Sequence, residues 1–305
     1  MNVTADRRED LLCQTGVISA FTSTAALLIC ILFSPIPYVA SESNLAIIEA
    51  GVQQSEDAPF ASADYQFLPG DYLYFTFQVA GFTVKSENRD ETRKIALSYQ
   101  VTAEDANDLP LVPASSEKIQ VELNPEDKDW LPKRRTSFLL PAFIAAGTFH
   151  IHVGVKDLFG NTETTRDFPF HVGGVQVEPA NGITIENVRF LRNENDSQML
   201  QVPAYSPGDT IYARFEMVGY KMGPHNQYHL AYGLTVLRPD GKPFIEEPKA
   251  AELEESTYYP AQFVPGAVNL STSAATSRGE YILIIRVRDL IGNGSFQTKR
   301  AFSLE

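Results

Sequence analysis

From residue 72 onward the chain alternates apolar and polar side chains with a period of two. Leu73, Phe75, Phe77 and Val79 are interleaved with Tyr72, Tyr74, Thr76 and Gln78, and Phe149, Ile151, Val153 and Val155 with His150, His152 and Lys156. Period two is the signature of a strand with one face buried, because successive Cβ atoms point to opposite sides of a pleated sheet. Pro69-Gly70-Asp71, Pro207-Gly208-Asp209 and Arg238-Pro239-Asp240-Gly241 break these runs with turn-forming residues. Beyond residue 41 no segment sustains a helical period. The pattern predicts an all-β chain.

The strand pattern is written twice. Residues 155 to 161 read VKDLFGN and residues 287 to 293 read VRDLIGN, inside an ungapped match of 147–161 to 279–293. Upstream, FLPGDYLYFTFQVAGFTV at 67–84 matches YSPGDTIYARFEMVGYKM at 205–222, and Tyr99-Gln100-Val101 matches Tyr232-Gly233-Leu234. The offset falls from 138 to 133 to 132, as loop-length differences between two copies of one unit would produce. Roughly seven strands per copy predict two tandem immunoglobulin-like β-sandwich domains, at 42–173 and 183–305, joined by a linker at 174–182. The repeated phrase reads as the corner of the last hairpin in each copy. Asp157 and Asp289 suit the first turn position, where a carboxylate accepts a backbone N–H, and Gly160 and Gly292 suit a left-handed one. A bulge is expected in the 147–172 hairpin, to let Phe168 and Phe170 face inward.

On these residues, "Gly-x-Tyr/Phe … Val-x-Asp-x-x-Gly-Asn" above all, residues 42–305 resemble bacterial exported proteins built of tandem immunoglobulin-like or fibronectin-like modules. The resemblance implies an adhesive, spacer or accessory module outside the cytoplasm, and its motifs are turn and core positions that bring no catalytic residue with them. Many functions share such a fold.

Residues 1–41 add an address. Arg7-Arg8 precede the apolar run Gly16 to Phe33, and Val39-Ala40-Ser41 follow it. That order reads as a secretory signal peptide or, if uncleaved, an N-terminal membrane anchor, in either case with a hydrophobic leader helix. The expected location is periplasmic, cell-surface or extracellular, with membrane contact only through this segment. Both cysteines, Cys13 and Cys30, lie inside it, so loss of the leader leaves no thiol for zinc, catalysis or redox exchange. Formal net charge is −13 over 305 residues, and only −1 belongs to the leader, where Asp6, Glu9 and Asp10 face the two arginines. An acidic surface repels phosphate backbones, which argues against nucleic-acid binding.

The chemistry-bearing positions are few. His150, His152 and His171 share an outward face of neighbouring strands and could hold zinc or copper, or be ordinary exposed sheet histidines. The second copy carries Ile282 and Ile284 at the places of His150 and His152, on what should be the solvent face. An exposed apolar pair there would mark a contact surface, unless a loop covers it. Trp130-Leu131-Pro132 and Tyr258-Tyr259-Pro260 precede comparable strands, and Trp130, Tyr258 and Tyr259 could anchor a protein partner, stack on sugar, or close a core. Lys133-Arg134-Arg135 reads as a charged edge strand. Acidic turns at Ser55-Glu56-Asp57, at 104–108 and at 193–196 could hold calcium or merely be solvated. No nucleophile elbow, metalloprotease helix or phosphate loop is written in the chain. The expected function is therefore a non-catalytic exported binding or structural module, without a cofactor, working through contacts with an envelope or extracellular protein. A carbohydrate-binding accessory module and a metal-dependent activity on sandwich loops are the alternatives.

Overall fold

A computed structural model of the protein describes residues 44–86, 93–124, 126–127 and 129–305. The expected leader and both cysteines lie outside the described residues, and among those described no helix is long and apolar enough to cross a membrane. The described residues form one compact unit.

The described residues form strands in two halves, nine in the first and eight in the second. The first half runs β1 (Ala46–Gln53), β2 (Gln66–Phe67), β3 (Tyr72–Ala80), β4 (Lys85–Ser86), β5 (Arg93–Glu104), β6 (Ser115–Leu123), β7 (Lys133–Leu139), β8 (Gly147–Asp157) and β9 (Thr162–Val172). The second runs β10 (Thr184–Leu191), β11 (Ala204–Tyr205), β12 (Thr210–Val218), β13 (Gln227–Leu237), β14 (Pro243–Ser256), β15 (Val264–Ser271), β16 (Gly279–Asp289) and β17 (Gly294–Leu304). Sheet β1-β3-β7 faces sheet β2-β9-β8-β5-β4, in which β6 also pairs with β5. Sheet β10-β12-β15 faces β11-β17-β16-β13-β14. In both halves the chain crosses between sheets after its first strand, and the short β2 and β11 pair in parallel with the last strand.

Alternation becomes burial. Leu73, Phe75, Phe77 and Val79 of β3 are fully buried against Leu97 and Val101 of β5 and Ile151 and Val153 of β8. Phe77 meets Tyr99 edge-on at 5.3 Å between ring centroids. Ile211, Ala213, Phe215 and Met217 of β12 do the same against Leu230, Val236, Tyr281, Leu283 and Ile285. Each apolar side chain so buried is worth roughly 1.5–3 kcal/mol.

The repeated aspartate does more than start a turn. Asp157 is 1% exposed, and its carboxylate accepts N–H bonds from Phe159 (2.9 Å), Gly160 (3.0 Å) and Thr83 (2.6 Å). Asp289 accepts from Ile291, Gly292 and Lys221, all within 3.0 Å. Each therefore ties the last hairpin's corner to the loop after β3 or β12. The glycines' role differs from the expectation. The left-handed residues are Asn161 (φ 52°) and Asn293 (φ 55°), whereas Gly160 and Gly292 are needed for space. A Cβ on Gly160 would lie 2.3 Å from Thr83 Oγ1, and one on Gly292 would lie 2.2 Å from Asp289 Oδ2.

The expected bulge is also elsewhere. Strands β8 and β9 pair without interruption, with Ile151 opposite Phe168 and Phe149 opposite Phe170, because a four-residue corner already sets the inward parity. Register shifts fall instead between β1 and β3 and at the matching place between β10 and β12, beside Glu49 (φ 42°) and Asn187 (φ 50°), and at two places between β13 and β14.

Burial works to raise the Asp157 pKa, but hydrogen bonds from the Gly160 and Thr83 backbone, the Thr83 hydroxyl and the Phe159 backbone outweigh it and hold the carboxyl below its ordinary value. A group depressed in the folded state stabilises fully above its unfolded pKa and ceases to as pH falls through the folded one. Asp157→Asn should cost about 1–3 kcal/mol at pH 7, since an amide cannot accept all three N–H groups as a carboxylate does. Urea titrations should show that difference narrowing below about pH 4.

Candidate functional site

The two cores meet through the loop between β7 and β8 and the segment between β14 and β15. Gln262 bonds to the loop at two points and holds Tyr259 with a third bond. Its backbone N–H donates to Phe143 O (2.9 Å), its side-chain oxygen accepts from Ala145 N (2.7 Å), and its side-chain nitrogen donates to the Tyr259 hydroxyl (2.9 Å). That hydroxyl donates in turn to Asp105 Oδ2 at 3.1 Å. Burial first, then the negative charge of Asp105, raises the Tyr259 pKa far above the usual tyrosine value, so the phenol remains a donor.

Apolar side chains cross the junction in both directions. Tyr259 is 3% exposed and belongs to the first half's core, while Phe143 packs against the second core and its ring lies 6.0 Å from Phe263. Val175 of the stretch leading to β10 accepts an N–H bond from Ala146 at 2.7 Å.

Beside this junction opens a cleft of about 440 Å³. Its walls are apolar, with Leu111, Leu139 and Phe143 on one side and Tyr258 and Ala261 on the other. Tyr258 is 57% exposed and Leu139 49%, and Tyr72 pairs with Leu139 across β3 and β7 as a further exposed ring. Tyr258 projects from an anchored backbone, because Asn226 Nδ2 donates to its carbonyl at 2.7 Å. Tyr259 separates this cleft from a more polar hollow of about 540 Å³ lined by Asp105, Asn107, Pro179 and Gln262.

Of the residues singled out from sequence, Tyr258 lines the cleft and Tyr259 is a buried plug. Trp130 is half-buried against the first core at the other end of β7, away from Leu139. It is not the counterpart of Tyr258. Lys133 pairs with Gln78 where Pro265 pairs with Glu216, so Trp130 corresponds to Gln262. The Ile282 and Ile284 face is not an open apolar surface either: Ile282 is half-buried, and Ile284 is 5% exposed, set opposite Thr235 and Lys299. Arg286 reaches across to the Thr235 hydroxyl at 2.9 Å.

Two of the three histidines are hydrogen-bonded to partners of their own. His152 Nδ1 lies 2.7 Å from Asp167, His171 Nδ1 lies 3.0 Å from Thr148 Oγ1, and His150 stands opposite Pro169. Among the described residues no group of three or more His, Cys, Asp or Glu is placed to hold a metal. The acidic turns have protein partners for their oxygens: Asp105 Oδ1 accepts from Asn107 and Leu109 and its Oδ2 from the Tyr259 hydroxyl, and Asp196 accepts from Asn193. Lys133–Arg135 do lie on an edge strand, where Arg135 pairs with Glu56 and Asp57.

Sequence reasoning missed Phe143, Leu139 and Gln262. A signal for the first two existed, because the apolar run 138–143 continues past the point where alternation stops. Gln262 had none.

No family model and no curated protein matches the chain. Among solved structures it is similar to the C-terminal domain of the Streptococcus agalactiae AgI/II polypeptide BspA, at 11% identity over 83% of this chain and 99% of that one, with a TM-score of 0.28. It is similar also to the C-terminal domain of the Streptococcus pyogenes antigen I/II-family protein AspA, at 12% identity over 83% and 98%, with a TM-score of 0.27. These are likenesses between β-rich chains at low TM-score, and they carry no inference about what this chain binds.

Adjacent tyrosines should behave oppositely. Tyr259→Ala removes a core side chain and the junction's shared hydroxyl and should cost about 3–5 kcal/mol. Tyr258→Ala, at an exposed ring, should stay within about 0.5 kcal/mol in the same chemical-denaturation experiment.

Proposed function

We propose that the chain is an exported, non-catalytic binding module in which two immunoglobulin-like sandwiches, at 42–173 and 183–305, present the cleft between them to an envelope or extracellular protein. The observation that carries this reading is the pairing of an apolar cleft with a locked junction. Exposed Tyr258 and Leu139 face each other across walls held by the Gln262 hydrogen bonds and the Tyr259 and Phe143 plugs. A preformed apolar recess with an aromatic at its lip suits recognition of a protein surface, because little ordering entropy is lost when the partner docks. Residues 1–41 supply export as a signal peptide or anchor. In this reading Trp130 and Ile284 are structural, and the surface residues are Tyr258, Leu139 and Tyr72.

A photo-crosslinking amino acid at position 258, introduced in the cells that make the protein, should yield a discrete adduct with one envelope or extracellular protein. Leu139→Asp should abolish it, and a crosslinker at the sheet-face residue Thr165 should give none. A cleft that crosslinks nothing, or a specific glycan-array signal that Tyr258→Ala removes, would replace this reading with one of the alternatives.

A further inference from the structure

The edge of the second large sheet runs into the cleft, and its two halves differ. Among the described residues β14 pairs only with β13, so one side of its backbone is unpaired along the whole strand. Toward its start this edge is blocked. Pro243 and Pro248 lack an N–H to donate, and the register breaks between Tyr232–Ala251 and Leu234–Glu247, so residues 248–250 bulge over Gly233. From Ala251 to Ser256 the pairing is regular and without proline, and this stretch ends where Glu255, Ser256, Thr257 and Tyr258 line the cleft. An open regular edge is a template for one more strand.

Charge narrows what that strand can be. The cleft lining contains no Lys, Arg or His, and its one carboxylate is Glu255. Glu255 accepts a hydrogen bond from the neutral Tyr228 hydroxyl at 2.8 Å, and no cation pairs with it among the described residues. Glu252 and Glu254 alternate with it on the opposite face of the same edge. Glu252 is matched by Lys249 and His229, whereas Glu254 has a hydrogen bond from the neutral Gln227 amide at 2.8 Å and, among basic side chains, only His229 at 3.9 Å. On an added strand, side chains directly opposite these carboxylates would be cross-strand neighbours on the same face, where opposite charges attract and like charges repel.

We propose that the occupant of the cleft is an extended, cationic peptide segment of the partner protein. It adds to β14 along 251–256, sets Lys or Arg opposite Glu254 and Glu255, and inserts one apolar side chain between Leu139 and Tyr258. This rests on the reading of the cleft as a binding site and adds the partner's backbone conformation and charge. Main-chain hydrogen bonds to the edge supply affinity, and the recess and the carboxylates supply selectivity.

A random decapeptide library displayed on phage, selected on the intact protein and counter-selected on the Leu139→Asp variant, tests this without a presumed sequence. The expected winners carry an apolar residue flanked by Lys or Arg. Their affinity should weaken roughly fivefold in Glu254→Lys or Glu255→Lys and fall further as ionic strength rises. In the best peptide, N-methylation should abolish binding at alternate residues only, the mark of strand addition. Enrichment of acidic or uncharged peptides, an N-methylation profile without alternation, or no peptide dependent on Leu139 overturns the proposal. If the crosslink from position 258 persists under any of these outcomes, the cleft still binds and only the cationic strand fails; if it vanishes too, the binding reading fails with it.

Discussion

A single glutamine side chain has to satisfy the loop that faces it for the two cores to share one body. Gln262 accepts from Ala145 N, donates to the Tyr259 hydroxyl and contributes its own backbone N–H to Phe143 O. The loop groups it reaches sit between buried surfaces, where an unmet amide costs about 1–3 kcal/mol. Everything described at the junction follows from that geometry. With Phe143 O and Ala145 N engaged, the Phe143 ring is directed at the second core, and with the Tyr259 hydroxyl engaged, that ring is held inside the first. The cleft beside them is then a fixed recess between Leu139 and Tyr258.

The all-β architecture is legible in the sequence because period two does not depend on register. Leu73 to Val79 and Phe149 to Val155 had to share a face whatever they paired with, and they do. The repeat could be read because its words are corner residues whose chemistry is local. What escaped was everything decided between segments distant in sequence. Asn161 takes the positive φ, while Gly160 is required because Thr83 and the Asp157 carboxylate crowd the place of a Cβ, and Thr83 comes from another loop. The aromatic-x-Pro phrases before comparable strands match Trp130 with Tyr258, whereas strand register matches it with Gln262, so an aromatic in one copy stands where the other has the junction's hydrogen-bonding residue. Ile282 and Ile284 were placed on the correct side of β16, but how the neighbouring strands and Arg286 cover that side lies outside any one-strand pattern.

The histidine face shows the same limit from the other direction. Parity placed His150, His152 and His171 on one side of adjacent strands, as found, yet adjacency in a sheet is adjacency to whatever stands opposite. Asp167, Thr148 and Pro169 stand opposite, and among the described residues no three potential ligands are placed to hold a metal. A shared face is necessary for a site and far from sufficient.

The exchange of Tyr259 and Phe143 between cores also changes what the duplication means. Two copies of one unit would ordinarily be interchangeable parts, free to be shuffled, lengthened or lost one at a time. Here each half completes its neighbour's interior with a ring of its own, so excision of either would open a hole in the other. The two halves are thus tied through their interiors as well as through the chain that joins them.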